Sequence, residues 1–232
     1  MRKIFYFIEF VLIKLFFFIL KIIGYKNGSN LGYFIGRFLG PIFRSRKLVN
    51  KNLEQSGVVN KTTYNKLVNK VYGNYGRILA EYPFLKEFRN NKLNNFIEIE
   101  GLEILNKIKR DKKRAVFVSG HFNNFELMAL QIEKAGIELC TIYRPLNNIF
   151  LNNTMEEIRK EFICKNQIKK GRSGTRQIIE NLKKGRSVAL MIDQRVREGI
   201  KTNFFGKPAT TTTIPAQLVK KYKCELVPIY IE

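Results

Sequence analysis

The chain has 232 residues, of which 45% are hydrophobic, and 42 Lys and Arg stand against 19 Asp and Glu for a formal charge of +23. That apolar content excludes a disordered chain, and the length suits one large domain or a domain with an appendage. Three unevenly spaced cysteines, Cys140, Cys164 and Cys224, form no CxxC pair or Cys/His cluster, which argues against a disulfide framework and against a metal or other cofactor site.

The N-terminal stretch Ile4 to Ile23, IFYFIEFVLIKLFFFILKII, is a hydrophobic helix of about 30 Å, the thickness of a hydrocarbon core. Its Ile, Leu, Phe and Val favour insertion by about 5 to 10 kcal/mol, and Glu9 and Lys14 oppose it by roughly 2.5 to 3.5 kcal/mol each. Lys3, Lys14 and Lys21 fall on one thin stripe, within about 20° at helical spacing, which also suits a helix lying in the membrane interface. No small-residue cleavage site follows, so residues 1–24 are expected to be a retained membrane anchor ending at Gly24.

Between Lys26 and Arg77 ten basic residues face one acid, Glu54. This excess calls for an acidic partner: nucleic acid, anionic lipid or an acidic protein. Aromatic and basic residues do not interleave as in an RNA-binding sheet, which leaves nucleic acid without support. The positive-inside rule then places the bulk of the chain on the cytoplasmic side, against an anionic leaflet.

Residues 25–100 form a basic helical region, with helical periodicity from 42 to 95 and a break at Pro83. Gly32, Gly36 and Gly40 make a small-xxx-small ladder, read as local helix packing rather than a dimer interface.

From Gly101 the pattern changes to short apolar runs at 115–119, 138–144, 187–193 and 225–231, separated by helical stretches near 123–135, 154–165, 174–184 and 214–222. Residues 101–232 therefore read as an α/β core, a parallel or mixed central sheet flanked by helices. Right-handed crossovers bring the carboxyl ends of such strands to one edge, where His121, Arg144, Asp193 and Gln194 all fall. The chain ends at Glu232 directly after an apolar run, so the core is expected to lack part of its C-terminus.

His121 is the only histidine. A structural imidazole is the bland reading, but this one follows Ser119 and Gly120 at a strand-to-helix turn, five residues before Glu126. With Glu126 in the first helical turns, its carboxylate could accept from one ring nitrogen and leave the other to take a substrate hydroxyl proton, a role that typically supplies about 10² to 10⁴ in rate. Ser119 is a poorer nucleophile, since GxSxG is absent.

GHFNNFE at 120–126 resembles the His-x4-Asp/Glu signature of glycerolipid acyltransferases, and its GHFxNxE form is similar to the lipid A biosynthesis (lauroyl/myristoyl) acyltransferase family. Four further stretches resemble that family's blocks in order and spacing: IYRPLNN at 142–148, RSGTRQIIENLKKG at 172–185, VALMIDQ at 188–194 and FFGKPATTTTIPA at 204–216. Ile214 stands where the family usually shows Gly.

The resemblance implies a glycerolipid acyltransferase-like fold and an inner-membrane enzyme moving a fatty acyl chain from acyl-acyl carrier protein to a hydroxyl of a lipid A precursor. It implies His121 as general base oriented by Glu126. Arg144 would stabilise an oxyanion or hold an acceptor phosphate, and Arg172 and Arg176 would bind phosphate at a helix start. Asn124, Asp193 and Gln194 would line the site or support it. The alternatives are an acyltransferase for another phospholipid or glycolipid acceptor, and a non-catalytic, membrane-tethered basic module.

Overall fold

The computed structural model describes residues 2–57, 61–194 and 196–232, apart from the side chains of Lys61, Thr62 and Arg172. In chain order it comprises α1 (Arg2–Ile23), α2 (Tyr25–Phe43), α3 (Arg46–Ser56), α4 (Lys61–Glu81), a short 3-10 turn (Tyr82–Phe84), α5 (Leu85–Arg89) and α6 (Leu102–Arg110). Then follow β1 (Ala115–Ser119), α7 (Glu126–Lys134), β2 (Leu139–Tyr143), α8 (Ile149–Ile158) running into a π turn (Arg159–Ile163), β3 (Asn166–Lys169), α9 (Arg172–Lys183), β4 (Ser187–Met191), β5 (Ile200–Phe204), β6 (Lys207–Thr211), α10 (Ile214–Tyr222) and β7 (Glu225–Pro228). Contacts group residues 13–84 with 201–209 as a helical body, and 1–12, 85–200 and 210–232 as an α/β body. The first body boundaries thus fall after 12 and 84, where the sequence reading divided the chain after 24 and 100.

In the α/β body five strands pair in the order β3-β2-β4-β1-β7. Every pairing is parallel, so of the parallel and mixed arrangements the sequence allowed the sheet takes the parallel one, and a mixed sheet is set aside. Four strands match the apolar runs. The fifth, β3, carries Asn166, Gln167 and Lys169, too polar to stand out as a run, and it is admitted by pairing along β2.

Strand alternation sorts the core into two layers. Val116, Val118, Val188 and Leu190 pack with Ile178 and Leu182 of α9 and Leu218 of α10. Phe117 and Ser119 lie on the opposite face, where the Ser119 hydroxyl reaches Met128 of α7. Helices thus cover both faces, as a parallel sheet requires.

The start of α1 belongs to this body. Asn148, the N-cap of α8, accepts from the amides of Phe150 and Leu151 and donates through Nδ2 to the Tyr6 carbonyl and to Glu9 Oε2, both at 2.8 Å. Phe7 and Phe10 meet the Phe150 ring, with centroids 5.6 and 6.1 Å apart. Glu9, which the sequence reading treated as a cost to insertion, is a hydrogen-bond acceptor for α8. The helix of the anchor expectation exists, but no helix among the described residues is long and apolar enough to cross a membrane. Charges at Lys3, Glu9, Lys14 and Lys21 interrupt every apolar window along it, so the spanning form of that expectation is corrected.

In the helical body the glycine ladder does what small residues permit. A Cβ on Gly36 of α2 would lie 2.8 Å from Gly76 Cα on α4, and one on Gly40 would lie 2.6 Å from the Tyr72 ring. Local packing of α2 on α4 is therefore the use of the ladder. Beside it a buried polar cluster is satisfied internally: Ser29 Oγ donates to Glu81 at 2.6 Å, Arg77 donates to Ser29 at 3.0 Å, and the Arg77 guanidinium lies 4.8 Å from the Tyr33 ring centroid. Burial, and then the Glu81 carboxylate, push the Tyr25 phenol well above its ordinary range.

Candidate active site

Strand register assembles the site. Ser119 of β1 lies opposite Met191 of β4, so positions two residues past each strand end, 121 and 193, emerge side by side at the carboxyl edge of the sheet. There Asp193 clamps the histidine twice: its Oδ2 accepts from the His121 backbone N–H at 2.8 Å, and its Oδ1 lies 2.7 Å from His121 Nδ1. Gly120 makes room, because a Cβ there would stand 3.3 Å from Asp193 Oδ2 and 3.0 Å from the Phe122 ring. A carboxylate only accepts, so Nδ1 carries the proton and Nε2 is left as the acceptor. Gln194 Nε2 lies 3.3 Å from that nitrogen and can donate to it. The Phe125 ring closes one side, edge-on to the imidazole with centroids 5.0 Å apart.

Glu126 is placed differently from expectation. It opens α7 and is buried, and its Oε1 accepts from Arg159 Nε at 2.9 Å and Nη2 at 2.7 Å. An acid in the first turn also complements the helix dipole. The place at one ring nitrogen that the sequence reading gave to Glu126 is taken, at Nδ1, by Asp193, 72 residues from His121 in the chain. Both Glu126 and His121 line one cleft of about 240 Å³ on the α7 face of the sheet, together with Arg144, Arg159, Tyr143 and Ser119. Apolar residues also line it, with Met128, Ala129, Ile163, Ala189, Met191 and Ile229.

The remaining expected residues divide. Arg144 is exposed just beyond β2 and lines the cleft. Asn124 is buried in the turn that leads into α7. Arg176 lies on the exposed side of α9, where its Nε donates to Glu180 at 2.9 Å, and it is not among the cleft-lining residues. The side chain of Arg172 lies outside the described residues. Ser119 donates its hydroxyl to the Ile229 carbonyl at 2.8 Å, which occupies it as a structural bridge between β1 and the segment after β7.

Arg159 was missed. It sits among many Lys and Arg in a stretch read only as helix, and nothing in its spacing marks it. The π turn that it opens is a feature enriched at functional sites, but one visible only in the fold. Tyr143 was missed too. Burial, and then the neighbouring Glu156, push its phenol up to about 12, so it stays protonated at neutral pH and can donate. A hydrogen bond from Lys160 at 2.9 Å holds Glu156 below its ordinary range.

The arrangement offers a tautomer-fixed imidazole beside two guanidinium groups and a neutral phenol, with apolar residues lining the same cleft. That is suited to deprotonating a hydroxyl and stabilising oxyanion charge next to a hydrocarbon group. No curated protein matches the chain. The family model for bacterial lipid A biosynthesis acyltransferases matches residues 1–232, the whole chain, and the protein belongs to that family.

Proposed function

We propose that this acyltransferase moves a fatty acyl chain from an acyl-acyl carrier protein to a hydroxyl of a lipid A precursor, with His121 as general base. The observation that carries the reading is the Asp193–His121–Gln194 arrangement in the cleft. An acceptor hydroxyl takes the place of the Gln194 amide at Nε2 and gives up its proton there as its oxygen attacks the thioester carbonyl. Arg144 faces the oxyanion that forms or an acceptor phosphate. Collapse expels the carrier thiolate, which takes the proton from the imidazolium, leaving an ester and a free thiol. Asp193 fixes the ring and favours its transient positive charge. The Arg159–Glu126 pair holds α7 against the π turn and places a second guanidinium in the cleft.

The acidic carrier and the phosphorylated acceptor both suit a chain of formal charge +23. We place the enzyme at the cytoplasmic face of the bacterial inner membrane. Support for interfacial attachment comes from α1, where Ile4, Phe5, Leu12, Phe18 and Ile22 are exposed beside Lys3, Lys14 and Lys21.

The test is transfer of radiolabelled acyl groups from acyl carrier protein to a tetra-acylated lipid A precursor by membranes holding wild-type protein or His121→Ala. The variant should lose about 10² to 10⁴ of the rate. Transfer undiminished in a folded variant refutes the base assignment, and transfer only to a glycerophospholipid acceptor refutes the substrate.

A further inference from the structure

β5 and β6 pair with each other in a separate two-stranded sheet, outside the five-stranded one. Their connection is tight: Phe204 ends β5, Lys207 begins β6, and Phe205 and Gly206 between them have φ of +50° and +72°. Positive φ at both central positions is the turn that Asn-Gly fills best. A bulky aromatic residue is a poor choice there, because its side chain crowds the backbone in the left-handed region. The turn therefore does not explain Phe205.

Packing does not explain it either. Phe204 and Phe205 are 60% and 52% exposed, and they touch each other edge to face with centroids 4.5 Å apart. A strained aromatic residue held out into water beside another is a combination that folding alone has no use for.

We propose that the Phe204–Phe205 tip is a lipid-facing wedge that enters the interfacial layer of an anionic bilayer. This rests on the membrane attachment proposed above and adds a second contact to it. Charge selects the occupant. The hairpin carries Lys201 and Lys207, both exposed, and no acid between Ile200 and Thr211. The body that holds residues 201–209 has fourteen Lys and Arg against two acids, Glu54 and Glu81. Aromatic rings flanked by lysines are the composition that settles at a headgroup boundary, with rings below and ammonium groups at the phosphates. The same body exposes Phe34, Phe38, Ile42 and Phe43 on α2, so apolar surface is not confined to the tip.

The chain contains no tryptophan, so a single Phe205→Trp reports on the tip alone. In the 232-residue chain its emission should shift to shorter wavelength on adding phosphatidylglycerol vesicles, and brominated lipid should quench it, with little response to phosphatidylcholine vesicles. Phe205→Asn separates the wedge from the fold, since Asn suits the left-handed turn. Its melting temperature should be no lower than that of wild type, while its binding to phosphatidylglycerol vesicles should fall several-fold. Unchanged emission while the protein sediments with the vesicles overturns the wedge and leaves the membrane attachment standing. Protein that fails to sediment with any vesicle refutes the attachment and the wedge together. A shift produced by acyl carrier protein, or by raising protein concentration without lipid, assigns the tip to a protein partner and likewise overturns the proposal.

Discussion

Arg159→Met removes the cation from a pair whose side chains are only 18% and 9% exposed. Glu126 would then keep a carboxylate against α7 without the guanidinium that gives it two hydrogen bonds at 2.9 and 2.7 Å. Breaking one partner of such a pair costs about 3 to 5 kcal/mol, because the desolvated carboxylate loses both of these charge-assisted hydrogen bonds. For a chain of this size each kcal/mol moves the melting temperature by roughly 2 to 4 °C. The variant should therefore melt about 6 to 20 °C below wild type in the same detergent, read by scanning fluorimetry with an external dye. Glu126→Gln together with Arg159→Met should recover most of the loss, since the buried carboxylate is removed along with its cation. A single variant melting within about 2 °C of wild type, or a double variant no better than the single, would refute the reasoning that this pair stabilises α7 on the π turn.

Asp193→Ala should lower kcat by about 10² to 10⁴ with a smaller change in KM, and adding it to His121→Ala should cost little more, as expected of groups acting as one unit. If the two losses multiply, Asp193 does not act through the imidazole. Burial pushes the Cys140 and Cys164 thiols from 9.0 up to about 12, and it raises Cys224 as well. Iodoacetamide at pH 8 should leave Cys140 and Cys164 unlabelled in the native protein and label them after denaturation; rapid native labelling would contradict their burial. The sign for stability follows directly. Between pH 9 and 12 the unfolded chain releases thiol protons, and the Tyr143 proton, that the folded chain retains. Stability is therefore held below pH 9 and declines as the pH rises through that window, which urea titrations at pH 8 and 10.5 would detect.

Much of the α/β body was legible in advance because strands inside a parallel sheet must be apolar, and the runs at 115, 138 and 187 are; the run at 225 is apolar too, although β7 at the sheet edge is largely exposed. The strand missed there, β3, is polar, and its place is set by main-chain pairing that carries no side-chain signature. The glycine ladder was legible for the same sort of reason, since close backbone approach leaves only one residue type free to sit there. Arg176 shows the opposite case. A basic residue near a glycine at a helix start has the right composition for phosphate, yet the helix phase turns it outward to Glu180.

By itself the sequence determined that the only imidazole follows a strand end, that Asp193 and Gln194 follow another, and that the chain carries the motif blocks of its family. Which carboxylate meets the imidazole was decided by tertiary structure. The order β2-β4-β1 and the register of Ser119 against Met191 bring Asp193 to His121 Nδ1, and the π turn after α8 brings Arg159 to Glu126. The reason is physical: spacing along a chain fixes angles only within one helix or strand, whereas the neighbours of a strand end are fixed by how strands are ordered, and that order is settled by packing across the whole sheet.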